Sequence, residues 1–163
     1  MEFYNKTVII TGASVGIGKA TAIEFARNGA NVCIVDVNAE GLGTLAEEIK
    51  SIGANVSSYI CDVSDEQRVR EVTKEIINQY GKIDILVNNA GLWRMWKPFV
   101  ETTSDEWKKR LSVNILGLMY FTHEVLPNMI ENSYGRIINI GSVAGVYGNM
   151  NMVPYSMTKG AVS

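Results

Sequence analysis

The sequence predicts an α/β fold: one doubly wound parallel sheet with helices on both faces. Three observations lead there: short apolar runs that are continuous rather than alternating, helical periods between those runs, and a glycine-rich turn directly after the first run. Continuous runs such as Val8-Ile9-Ile10 and Val32-Cys33-Ile34-Val35 suit strands that are covered on both faces, the usual condition of a parallel sheet. Strict β-α alternation with right-handed crossovers then gives the doubly wound arrangement. At 163 residues and 47% hydrophobic, the chain can build one core of useful size.

Strands are expected over 7–11, 31–36, 56–61, 83–88 and 136–140. Between them, Ser64-x-x-Gln67 and Thr103-x-x-Glu106 fit the capping-box pattern, in which side chain and backbone satisfy orphan N–H groups reciprocally. Gly29, Gly53 and Gly81 stand where left-handed helix ends are expected. Val69, Val72, Ile76 and Tyr80 form one apolar stripe, and Leu111, Ile115, Leu118, Val125 and Met129 form another; both read as packing faces. Cys33 and Cys61 sit inside apolar runs and read as reduced core thiols. His123 reads as structural or solvent-facing, and no metal site is expected. A net charge of −2 gives no electrostatic footprint for nucleic acid or anionic membrane. No run reaches the ~18 apolar residues of a membrane span, and residues 1–6 hold no signal-peptide core. The expectation is a cytoplasmic protein with neither nucleic-acid nor membrane partner.

Ligands of such sheets bind beyond the carboxyl ends of the strands, and the polar clusters of this chain fall there. Thr11-Gly12-Ala13-Ser14-Val15-Gly16-Ile17-Gly18 follows the first strand. Glycines let the backbone turn sharply and approach a ligand, and a helix starting near Gly16 aims its N–H groups and dipole at a phosphate. Alone, the spacing also fits a tight turn whose glycines serve packing only. A Walker A loop is excluded, because Gly18-Lys19-Ala20 lacks the magnesium-binding hydroxyl. Asp36 ends the second strand, where a carboxylate can accept both hydroxyls of a ribose and would repel a 2′-phosphate. Val15 and Val37 offer that phosphate no cation, so NAD is preferred over NADP.

Asp62-Val63 follows the third strand and could meet an adenine edge. In Asn88-Asn89-Ala90-Gly91, the asparagines could tie strand ends together while Ala90 and Gly91 admit a ribose. Singly, each is ordinary turn chemistry. Pro154 suits a helix start, which sets Tyr155 and Lys159 on one face. An ammonium beside a phenol favours phenolate and makes tyrosine a usable proton donor and acceptor near neutrality. Ser142, at the end of the fifth strand, joins this pair. Trp93-Arg94-Met95-Trp96 carries aromatic weight; either Trp93 or Arg94 lines a substrate mouth, or the stretch is a packed surface lobe or a contact for a C-terminal part of a longer protein.

Thr11-Gly12-x-x-x-Gly16-x-Gly18, Asp36, Asp62-Val63, Asn88-Asn89-Ala90-Gly91, Asn114, Ser142 and Tyr155-x-x-x-Lys159, in this order, make the chain resemble the short-chain dehydrogenase/reductase family of Rossmann-fold oxidoreductases. The resemblance covers essentially the whole chain. It implies reversible hydride transfer between NAD(H) and a small alcohol or carbonyl substrate. By resemblance Tyr155 is the acid/base, and Ser142 positions the substrate oxygen. Lys159 lowers the tyrosine pKa and binds the nicotinamide ribose, and Asn114 holds a relay water. The cofactor residues it implies are Gly12, Ser14, Gly16, Ile17, Gly18, Asp36, Asp62, Val63, Asn89, Ala90 and Gly91, with Tyr155 and Lys159. Family members continue past the Lys159 helix, so residues 1–163 are expected to be the NAD-binding domain of a longer protein, without its C-terminal strands and substrate loop. The full-length protein is expected to be a homotetramer or homodimer. A non-catalytic dinucleotide-binding or interaction protein on the same fold is the alternative; the presence of Asn114, Ser142, Tyr155 and Lys159 together favours the enzyme.

Overall fold

The apolar runs pair as their pattern requires. In the computed structural model, which describes residues 2–93 and 96–163, the strands are β1 (Thr7–Thr11), β2 (Asn31–Asp36), β3 (Val56–Ile60), β4 (Ile85–Asn88) and β5 (Arg136–Asn139). They form one parallel sheet in the order β3-β2-β1-β4-β5. The helices are α1 (Gly16–Arg27), α2 (Ala39–Ser51), α3 (Glu66–Tyr80), α4 (Ser104–Leu111), α5 (Gly117–Glu131), α6 (Val143–Tyr147) and α7 (Val153–Val162).

β1 is central, with Ile10 opposite Ile34 of β2 on one side and Val87 of β4 on the other. Alternation splits the core into two layers. Val8, Ile10, Val32 and Ile34 pack with Ala22 of α1 and Leu42, Leu45 and Ile49 of α2. Ile9, Cys33 and Leu86 pack on the other face with Val69, Val72 and Ile76 of α3 and Phe121 and Val125 of α5. Burying a side chain such as Phe121 completely contributes about 1.5–3 kcal/mol. The chain winds outward from β1 in both directions, so a crevice opens over the carboxyl ends of β1 and β4.

Double coverage describes β1, β2 and β4 but not the edge strands β3 and β5, on which Ile60 is 58% and Ile138 43% exposed. Strand ends differ from expectation by one or two residues. Cys61 adds one ladder bond, from its N–H to Asp36 O (3.0 Å), without extending β3. Ile83 is outside β4 because its N–H donates to the Asn128 side chain (2.9 Å). Gly29, Gly53 and Gly81 close helices at φ of 86°, 76° and 78°, as the left-handed endings require.

Thr103 and Glu106 form the expected capping box. The Ser64 box does not form. Asp62 Oδ1 accepts from both the N–H and the hydroxyl of Ser64 (2.9 and 2.7 Å), and Asp65 caps α3 instead through Arg68 N–H (3.0 Å). The second apolar stripe is only half right. A π turn over Ser112–Leu116 joins α4 to α5 and shifts the helical phase. Arg110, Asn114, Gly117, Phe121, Val125 and Met129 therefore face inward, Leu111 is exposed, and Ile115 and Leu118 are half-buried. Cys33 and Cys61 are buried free thiols, and the His123 side chain is 83% exposed. Among the described residues no helix is long and apolar enough to cross a membrane.

Candidate active site

The crevice is built first by a clasp between the loops after β1 and β4. Thr11 Oγ1 accepts from the N–H groups of Asn89 and Ala90 (both 3.0 Å), and Asn89 Nδ2 donates to the carbonyls of Thr11 and Gly12 (both 2.9 Å). This approach explains the glycines. Gly12 has φ 63°, and a Cβ there would lie 2.8 Å from Ala90 Cα. A Cβ on Gly18 would meet Gly12 O and lie 2.6 Å from Asn89 Nδ2. Gly16 has φ 58° with open space where its side chain would be.

α1 starts with no side-chain cap and no acidic residue in its first turn. By contrast α2, α3 and α4 each have a capping side chain and an acid in the first turn. The uncapped N–H groups and dipole end at Gly16 fit an anionic group such as a pyrophosphate. Two backbone amides orient Asp36: Oδ2 accepts from Ser14 N–H and Oδ1 from Asn38 N–H, both at 3.0 Å. Val15 and Val37 flank it, both largely exposed. Asn88 Nδ2 ties β4 to its neighbours, donating to Thr122 Oγ1 (3.2 Å) and to Asn139 Oδ1 of β5 (3.0 Å).

The other wall comes from β5, α6 and α7. Ser142 caps α6, its Oγ accepting from Ala144 N–H (3.2 Å), which leaves its own O–H to donate. α7 presents Tyr155 and Lys159 one turn apart. Lys159 is buried, and its Nζ donates to Ile140 O at the end of β5. Burial pushes its pKa below the usual lysine range. A Cβ on Gly91 would lie 3.8 Å from Lys159 Nζ, an ordinary contact distance, so that ammonium sits beside the loop.

These walls enclose a cleft of about 750 Å³, within the usual size of ligand pockets. Gly12, Ser14, Gly16, Ile17 and Asp36 line one part, with Asp62, Val63, Asn89, Ala90 and Gly91 beside them. Ser142, Tyr155 and Lys159 line the same cleft. Two of the site residues that the resemblance implies do not line it. Gly18 is buried against the Gly12 loop, and Asn114 lies behind Leu92. Trp93 lines the cleft, while Arg94 and Met95 are outside the described residues. Among the described residues no group of three His, Cys, Asp or Glu side chains is placed to hold a metal ion.

A family profile described as short chain dehydrogenase matches residues 6–163. The chain belongs to the short-chain dehydrogenase family. The 3-oxoacyl-(acyl-carrier-protein) reductase of Thermotoga maritima is 38% identical over 162 residues, 99% of this chain and 65% of that relative. The 7α-hydroxysteroid dehydrogenase of Escherichia coli is 37% identical over 158 residues, 97% of this chain and 61% of the relative. A crystal structure of NAD+-bound xylitol dehydrogenase superposes with a TM-score of 0.96 at 36% identity, covering 99% of this chain and 62% of the other. The chain thus spans less than two thirds of the length of these relatives.

Three contributors to the cleft of this family member escape its sequence patterns. The Thr11 hydroxyl clasps the two loops, the Ile140 carbonyl receives Lys159, and Thr158 bonds to Asn114. Only Thr11 carries a local signal, a hydroxyl at a strand end just before the glycine turn.

Proposed function

We propose that this protein transfers a hydride between NAD(H) and a secondary alcohol or ketone, with Tyr155 as the acid/base. The observation that carries the reading is a single cleft lined by the glycine turn, Asp36, Ser142, Tyr155 and Lys159. The uncapped start of α1 would hold the pyrophosphate, Asp36 the adenosine ribose, and the approach at Ala90 and Gly91 the rest of the dinucleotide. Bound there, the nicotinamide supplies or accepts the hydride. Asp36, with no cation at Val15 or Val37, supports NAD over NADP, and the similar xylitol dehydrogenase structure carries NAD+.

Tyr155 exchanges a proton with the substrate oxygen, and the free O–H of Ser142 donates to that oxygen and orients it. Lys159, held by Ile140 O beside Gly91, serves the ribose and the phenol. The Asn114 Oδ1 keeps one lone pair beyond its bond from Leu92 N–H, enough to hold a relay water. The exposed apolar side chains Leu111, Leu116, Met119 and Leu126 support a homodimer or homotetramer. In the same reading residues 1–163 form the cofactor-binding domain of a cytoplasmic enzyme acting on a small molecule.

The test is nicotinamide absorbance during incubation with NADH and a ketone panel, and with NAD+ and secondary alcohols. Turnover that prefers NADH to NADPH supports the reading. Tight NADH binding with no turnover on any substrate favours a non-catalytic dinucleotide-binding protein.

A further inference from the structure

Behind the cleft, four residues form an unbroken hydrogen-bonded chain that links its two walls. Leu92 N–H donates to Asn114 Oδ1 (2.7 Å), and Asn114 Nδ2 donates to Leu92 O (3.2 Å) and to Thr158 Oγ1 (2.9 Å). Thr158 Oγ1 in turn donates to the carbonyl of Tyr155 (2.8 Å). Thr158 is 1% exposed and Asn114 3%, so bulk solvent does not compete for these bonds. Both ends of the chain, Leu92 and Tyr155, line the cleft.

We propose that Thr158 is a positioning residue, whose hydroxyl couples the Asn114 carboxamide to the Tyr155 helix and so holds Leu92 and Tyr155 in register across the cleft. The inference rests on the dehydrogenase reading for its kinetic consequence and on geometry alone for its structural one. A hydroxyl has one hydrogen, and that of Thr158 goes to Tyr155 O, so it can meet Asn114 only as an acceptor. This choice sets the amide: Nδ2 must face Thr158, which leaves Oδ1 for Leu92 N–H. An amide flipped the other way would oppose Leu92 N–H with its own N–H groups and Leu92 O with its own oxygen. Removing the hydroxyl therefore strands a buried N–H or loosens Leu92, and a lost partner of this kind costs more than an exposed bond is worth.

The test compares wild type, Thr158→Val and Thr158→Ser in the intact protein, by amide hydrogen exchange and by steady-state kinetics with NAD+ and a panel including xylitol and cyclohexanol. Valine keeps the shape and deletes the hydroxyl; serine restores it. In Thr158→Val the Leu92 amide should exchange about tenfold faster and kcat should fall about tenfold, with the KM for NAD+ within about twofold. Thr158→Ser should return both towards wild type. A purely structural role would lower the thermal transition and leave the kcat of the folded protein and the relative protection of Leu92 unchanged. Should Thr158→Val fail to fold, Thr158→Ala carries the same comparison. Unchanged Leu92 exchange in the hydroxyl-free variant, or a Thr158→Ser variant as impaired as it, overturns the inference. Wild type without turnover on any alcohol would overturn the dehydrogenase reading, and Leu92 exchange would still decide the role of Thr158.

Discussion

Replacing Asp36 by alanine and Val37 by arginine should move the cofactor preference from NADH towards NADPH. Asp36 does not point freely into the cleft: Ser14 N–H and Asn38 N–H, each at 3.0 Å, hold one carboxylate oxygen apiece and leave their outer lone pairs for a ribose. A 2′-phosphate would bring about two negative charges to that edge. Two unit charges 4 Å apart cost about 4 kcal/mol at an effective dielectric constant of 20. The site is half-buried, so solvent screening reduces this to about 2–3 kcal/mol, roughly a 30- to 150-fold preference. Val37 is 63% exposed, so an arginine there has room to turn towards the phosphate. The assay is a fluorescence titration of both reduced cofactors at fixed ionic strength, with Asp36→Ala alone as control. The single variant should lose NADH affinity without gaining a phosphate partner, and the double variant should bring the two Kd values within about tenfold of each other. Wild-type protein that binds NADPH as tightly as NADH would overturn the role of Asp36 in cofactor choice.

Two further outcomes follow from the packing. Asp84 is 2% exposed, with Lys6 Nζ and Thr7 N–H at 2.9 Å and Lys82 Nζ at 3.3 Å. Burial alone would raise its pKa, but these donors hold the carboxyl below its ordinary value. A carboxylate depressed in the native state contributes stability that is present above the unfolded carboxylate pKa and is lost as pH falls through the native one. Asp84→Asn should therefore destabilise by about 1–3 kcal/mol at neutral pH and flatten the acid limb of chemical denaturation curves; parallel pH curves for variant and wild type would contradict this. Gly18→Ala should force α1 away from the Gly12 loop, costing about 1–3 kcal/mol and at least about tenfold in NADH affinity by titration. Unchanged NADH affinity would show that the glycine is dispensable to the cradle.

The sequence made β1, β2 and β4 legible because they are buried on both faces, so their apolar runs carry no interruptions. The glycine turn was equally plain, since Gly12 and Gly18 meet contacts that only glycine tolerates and Gly16 takes a positive φ. What stayed hidden depends on phase and on distant partners. A helical period read across residues 111–129 assumes 3.6 residues per turn, and the π turn at Ser112–Leu116 breaks that assumption, so Leu111 was placed inside while Arg110 and Asn114 took the inward face. The start of α3 moved from Ser64 to Asp65 because Asp62 captures Ser64, a competition between neighbours that a capping pattern does not register. Thr158 gave no signal at all. Its partner Asn114 lies 44 residues away, and only the packing of α7 on the π turn brings the two together.

In the proposed mechanism Tyr155 moves the proton while the remainder of the cleft holds the cofactor. Tyr155→Phe deletes one oxygen and preserves the ring that lines the cleft. Once a substrate is found in the alcohol and ketone panel, kcat and the NADH Kd should be measured side by side for wild type and this variant. In Tyr155→Phe kcat should fall about 10²- to 10⁴-fold with the Kd unchanged within about threefold. A Tyr155→Phe protein that turns over like wild type would contradict it and place the proton donor elsewhere.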